Sequence, residues 1–219
     1  MNIKISKELS ELCPGAALMA FSYEADVKES PKELIALLDK TINNLHTRYT
    51  MTDLPKLTHI KDTRAAYHNL GKSPTSYRNA AEAMLRRIVK GNDLYHINNV
   101  VDINNLISIS TGYSVGSYDT DCLSGTVEWR RAPDGESYRG IGKDVLNIEH
   151  LPTLYDEKGA FGNPTSDSRR AMITPGIHRV SSVVYSFSGN HEFDLIASQY
   201  KKLLITHCGA TEIDVIIIN

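Results

Sequence analysis

An α+β fold, with a mixed or mostly antiparallel sheet packed against helices, is what this 219-residue chain predicts, and three observations lead there. Residues 30–45 and 73–91 carry apolar residues at helical spacing behind capping residues. Between Gly112 and Gly176 the texture changes to short β-like pieces divided by turn dipeptides. The C-terminal part then reads strand, helix, strand. No repeat or low-complexity linker interrupts the chain, so a single domain over residues 1–219 is expected.

Taken in order, Ala16-Ala17-Leu18-Met19-Ala20-Phe21-Ser22-Tyr23 follows Pro14-Gly15 and is short and apolar, which suits a buried first strand. Ser30-Pro31-Lys32-Glu33 then offers an N-cap serine, proline at the first helical position and a glutamate placed for a capping box. Leu34, Ile35, Leu37, Leu38, Ile42 and Leu45 supply that helix with an apolar face. Ser73-Pro74 is expected to open a second helix ending at Gly91, with Tyr77, Ala81, Met84 and Ile88 on one side. Arg78, Glu82 and Arg86 share its other side at spacings of four, the pattern of an exposed ion-pair ladder of small energetic value. Thr126-Val127-Glu128-Trp129-Arg130 reads as a strand between turns such as Asp134-Gly135 and Gly162-Asn163-Pro164. Val183-Val184-Tyr185-Ser186-Phe187 is a strand, and Leu195, Ile196, Tyr200, Leu203 and Leu204 mark an amphipathic helix. Gly209 stops it, and residues 212–218 form a last strand.

Charge and cysteine usage narrow the function classes. A net charge of -2 lacks the broad basic surface of a generic nucleic-acid binder, so any RNA contact is local and DNA is not an expected partner. Cys13, Cys122 and Cys208 are far apart and include no Cys-x-x-Cys pair, which predicts reduced thiols in an intracellular protein. The first eight residues lack the apolar stretch of a signal peptide, and no run approaches the ~20 apolar residues of a membrane span. A cytoplasmic location without a membrane partner is expected. The eight histidines show no metal-ligand spacing, and no nucleophile elbow, Walker loop or dinucleotide fingerprint occurs, so neither metal nor cofactor is expected.

Residues 100–119, Val-Val-Asp-Ile-Asn-Asn-Leu-Ile-Ser-Ile-Ser-Thr-Gly-Tyr-Ser-Val-Gly-Ser-Tyr-Asp, are the most informative segment. Polar residues recur within an apolar run, and a polar group buried without a partner costs about 1–3 kcal/mol, so they predict a hydrogen-bonding constellation. Tyr77-Arg78, Ala81-Glu82, Arg86-Arg87, Lys90-Gly91, residues 97–105, Tyr118-Asp119, Gly125, Arg130-Arg131-Ala132 and Gly135-Glu136 follow in order. Together they resemble the editing domain of the phenylalanyl-tRNA synthetase beta subunit, the B-three/B-four domain.

That resemblance implies an α/β cleft that holds a mischarged amino acid and hydrolyses its ester link to tRNA. It places Asp102 and Asn105 one turn apart on a helix; read from the residues alone, Asp102 equally suits helix capping and Asn105 loop bracing. Two family features are absent. The editing-pocket histidine is replaced by Gly116, and the glutamate of the strand corresponding to Ser181-Ser182-Val183-Val184-Tyr185 has no acidic counterpart. Replacements are sought in residues 162–174, where Asn163, Thr165, Ser166 and Asp167 precede Arg169-Arg170. Such polar loops also cap their own turns, but a guanidinium fork suits an anion, which makes Arg170 a candidate clamp.

Three functions are compatible with these residues. The first is a trans-acting aminoacyl-tRNA deacylase, with Asp102 and Glu136 as polarising acids and Asn99, Asn105, Arg130, Arg170 and Thr174 holding the tRNA acceptor end. The second is a non-catalytic module that binds a free amino acid or similar small molecule in the same cleft. The third is a plain RNA-binding module. Aminoacylation is set aside, because nothing resembles the ATP-using part of a synthetase.

Overall fold

Central to the architecture is an antiparallel sheet whose middle strands are buried on both faces. In the computed structural model, which describes residues 2–142 and 144–219, β1 (Ile3–Ile5), α1 (Lys7–Leu12) and β2 (Ala17–Val27) come first. Then follow α2 (Lys32–Arg48), α3 (Thr58–Asn69), α4 (Ala80–Val89), α5 (Asn99–Thr111), β3 (Ser114–Asp119) and β4 (Val127–Arg131). The remainder is β5 (Ser137–Tyr138), β6 (Leu146–Asn147), β7 (Pro152–Asp156), β8 (Gly159–Gly162), β9 (Gly176–Ser186), α6 (Phe193–Cys208) and β10 (Thr211–Ile218).

The central sheet runs β10-β2-β9-β3, with β2 paired to β9 from Ala17↔Ser186 to Val27↔Gly176. Met19, Phe21 and Tyr23 of β2 face one core with α2, α4, α5 and α6, while Leu18 and Ala20 face the other. That two-sided burial is why the strand reads as an unbroken apolar run. The second core lies between this sheet and a mixed sheet, β1-β4-β7-β8, in which β1 pairs with β4 in parallel, and it is filled by Trp129, Leu154, Phe161 and Tyr185. Helices, sheet and second sheet thus form three layers, the α+β class the sequence predicts. Among the described residues no helix is long and apolar enough to cross a membrane.

Local details depart from expectation. The expected first strand extends to Val27 and is preceded by β1 and α1. Ser30 does not cap α2; its hydroxyl donates to Asp102 Oδ2 at 2.6 Å, and Pro31 takes the cap position. The second predicted helix starts at Ala80 rather than at Ser73-Pro74. Asn79 caps it by accepting the Glu82 amide at 2.8 Å, and residues 73–79 form turns. Helix α3 was not foreseen.

Candidate functional site

Helix α5 begins behind Asn98, whose side chain accepts the Val101 amide at 2.9 Å. Asn99 is buried and fully engaged: its amide donates to the Asp26 and His207 carbonyls at 2.8 and 3.2 Å, and its oxygen accepts the Lys28 and Val100 amides. It clips the end of β2 to α5 and α6. Asp102 is buried too, with Oδ2 accepting from Ser30 and Oδ1 accepting the Ile97 amide at 3.0 Å, while His96 Nδ1 lies 3.5 Å away. Its carboxylate turns inward onto the helix start, toward partners that bind α2 and the preceding loop to α5. Asn105, one turn on, is half-buried. Its neighbour Asn104 carries the interior network, donating to Ser117 Oγ at 2.8 Å and accepting from the Tyr200 hydroxyl.

The other expected residues lie elsewhere. Tyr155 donates to Glu136 Oε2 at 2.6 Å, and the Arg130 guanidinium stacks 4.0 Å above the same tyrosine ring. Arg131 points the opposite way and donates to the Leu70 carbonyl, as strand alternation requires. Arg170 is held by Asp156, with Nη2 and Nη1 donating to its two oxygens at 2.8 and 3.1 Å, and it also binds the Gly159 and Cys122 carbonyls. Burial pushes the Asp156 carboxyl up, but hydrogen bonds from Arg170 and the Ser124 and Lys158 amides outweigh it and leave the carboxyl below its ordinary range. The expected anion clamp is therefore an internal ion pair, because an acid fourteen positions away in sequence reaches it first. Thr174 is exposed, 3.4 Å from His178 Nε2. The seven expected residues do not converge on one cleft.

What the structure does gather lies on either side of the loop 163–168. On its inner side, the Tyr118 hydroxyl donates to Asp167 Oδ1 at 2.7 Å and meets the Tyr185 hydroxyl at 2.6 Å. Two glycines make room for that phenol: a Cβ on Gly116 would stand 2.3 Å from Tyr118 Oη and 3.1 Å from Asp167 Oδ2, and one on Gly162 would stand 2.1 Å from Tyr118 Oη. The space beside Gly116, where the resemblance leads one to expect a histidine, is thus filled by a tyrosine–aspartate pair. Burial, partly offset by hydrogen bonds from Tyr118 and the Asn163 backbone, pushes the Asp167 carboxyl up to about 7. Burial and the nearby Asp167 push Tyr118 well above 10. Gly116→Ala is expected to cost about 1–3 kcal/mol through overpacking against this rigid ring, read as a lower urea midpoint; an unchanged midpoint would refute the tight fit.

On the outer side Thr165, whose hydroxyl meets that of Tyr67 at 2.8 Å, borders a cleft of about 580 Å³ also lined by Tyr77, Arg78, Arg86, Arg87 and Lys90. Glu82 sits behind this wall with its side chain wholly buried. It accepts from Arg86 Nε at 2.8 Å and from Arg64 Nη1 at 3.1 Å, with Arg78 Nε 4.0 Å away. The expected surface ladder is in fact a buried carboxylate among three guanidiniums. Its spacing was visible in the sequence, but Arg64, the third cation, comes from the unforeseen α3. Arg87 Nε donates to the Asp93 carbonyl at 2.6 Å, and Lys90, at the C-cap of α4, is exposed.

A family model described as the B3/4 domain matches residues 62–190, a stretch that holds the cleft cations, Glu82, Gly116 and Asp167. Among solved structures, the chain is similar to an N-terminal fragment of the phenylalanyl-tRNA synthetase beta-subunit from Pyrococcus horikoshii. The identity is 11% and the TM-score 0.53, with 99% of this chain and 50% of that one covered. The chain therefore spans about half the length of that fragment and shares its fold. No curated protein matches.

Proposed function

Because this chain belongs to the B3/4 domain family, we propose that it binds the acceptor end of an aminoacylated tRNA and hydrolyses the ester joining amino acid to RNA. The observation that carries the reading is the cleft wall of Arg78, Arg86, Arg87 and Lys90, with no acidic side chain among its lining residues. On a chain of net charge -2 this is a local concentration of cations, the form RNA contact has to take here. Glu82 holds Arg86, and more loosely Arg78, in place before a ligand arrives, which lowers the ordering cost of binding.

A second reading, non-catalytic binding of an amino-acid-like molecule, is favoured by the engagement of Asp102 and Glu136 with internal partners. Incubating the protein with a panel of mischarged tRNAs separates the two readings. Loss of the aminoacyl ester above buffer supports hydrolysis, whereas retention of a free amino acid without turnover supports the alternative. Arg87 and Lys90 test the RNA contact without touching Glu82. The double variant Arg87→Glu, Lys90→Glu is expected to lower tRNA affinity about tenfold or more. It should also shrink the dependence of log K on log salt by roughly 0.7 for each single-strand phosphate that the variant no longer neutralises. Unchanged affinity and slope would refute this cleft as the RNA site.

A further inference from the structure

We propose that the cationic cleft takes its RNA as a single strand, with Tyr77 and Tyr95 as stacking platforms for unpaired bases at the two ends of α4 and the cations between them holding the phosphates. The inference rests on the reading of this cleft as an RNA site and adds the form of the RNA it accepts. Tyr77 precedes α4 and Tyr95 follows it, while Arg78, Arg86, Arg87 and Lys90 come between. The ten residues of α4 span about 15 Å, the length of about four bases stacked at roughly 3.4 Å each.

Each ring is backed by a cation. Lys72 Nζ stands 3.9 Å from the centroid of the Tyr77 ring and donates to Asn147 Oδ1 at 2.9 Å. Lys72 is buried and does not line the cleft, whereas Tyr77 does, so the ring turns its other side to the cleft. The Arg87 guanidinium, a cleft-lining group, lies 4.8 Å from the centroid of the Tyr95 ring. Even so, Tyr95 is 71% exposed, and it alone among the described phenylalanines, tyrosines and tryptophan is an exposed residue. A lone surface ring needs no explanation, but two rings, each paired with a cation, at the ends of one cationic helix form the pattern of a single-strand binder. Every base has a face that stacks on such a ring, and pairing within a duplex keeps that face occupied. The nearest acid in sequence to Tyr95, Asp93, lines a separate cavity with Asp39 and His96.

The test is fluorescence anisotropy with a labelled, unstructured RNA of about eight nucleotides and with a duplex of the same sequence, across a salt series. Wild type, Tyr95→Ala, Tyr95→Phe and Tyr77→Leu are compared, with a thermal melt of each. Wild type should bind the single strand more tightly than the duplex. Tyr95→Ala, a change at an exposed position, should melt like wild type and lose about 5- to 150-fold in affinity for the single strand. Its salt slope should stay that of wild type, because the ring carries no charge, in contrast to the Arg87→Glu, Lys90→Glu variant. Tyr95→Phe keeps the ring and should bind like wild type. Tyr77→Leu keeps an apolar side chain at a half-buried position and should lose affinity to a similar degree; if it fails to melt cooperatively, the two Tyr95 variants decide. A folded Tyr95→Ala with affinity within about twofold of wild type, or a duplex bound as tightly as the single strand, would overturn the proposal. If the Arg87→Glu, Lys90→Glu variant then still loses affinity for tRNA, the cleft remains the RNA site without stacking platforms. Wild type that binds neither tRNA nor the single strand overturns both.

Discussion

Glu82→Ala is expected to destabilise the fold by about 3–5 kcal/mol, the cost of removing one partner from a buried ion cluster. The glutamate side chain is 0% exposed while Arg64, Arg78 and Arg86 are 24, 37 and 22% exposed, so its loss leaves three crowded cations that solvent screens only in part. The lower end of the range is the closer expectation for that reason. Glu82→Gln keeps the shape and some acceptor capacity and should fall between alanine and wild type. Urea is the suitable denaturant, because guanidinium chloride would screen the interaction being measured. A loss under about 1 kcal/mol for alanine would show that the arginines relax into water and that the cluster contributes little.

Asp167→Asn is expected to stabilise the protein by about 2–4 kcal/mol at pH 8 and to change it little at pH 4. The folded carboxyl is raised from 3.8 to about 7, so the fold favours the protonated form. That contribution is fully present below about pH 4 and is lost as pH rises through about 7, since ionising the group in place costs more than ionising it in the unfolded chain. The residue's partial exposure is the reason for a range rather than the full linkage value. Denaturation curves for both proteins at pH 4, 6 and 8 check this, and a difference in stability independent of pH would refute it. A carboxyl whose ionisation weakens the fold near neutrality is the kind of group found where activity and stability conflict.

Features set by local chemistry were legible in the sequence. Strand β2 showed as an apolar run, α2 by its helical stripe, and the α6 end by Gly209, which adopts a left-handed φ of 59°. Helix α3 was not legible: of its buried residues Ile60, Thr63, Ala66 and Tyr67, two are small, and no side chain caps its start. The site was harder to read because the fate of each charge is set by residues remote in sequence. Arg170 looked free until β7 brought Asp156 beside it, and Glu82 looked exposed until α3 brought Arg64. Asp102 followed the same rule, since its serine partner had the sequence features of a cap for another helix. The resemblance to the synthetase domain pointed to residues 100–119 and to the missing side chain at Gly116, but not to the tyrosine and aspartate that surround it.

The pairing of β2 with β9 and β10 also governs how the protein can be made. Residues 17–27 leave the ribosome well before their hydrogen-bonding partners, residues 176–186 and 211–218. Until then a long apolar strand has both edges open, the type of segment that recruits other chains. The helices between them can form as they emerge, but the central sheet has to await residues 176–218, and closing so long a loop slows the search. Slow release from the ribosome, or a chaperone that shields residues 17–27, should therefore raise the soluble yield more than any change to the helices.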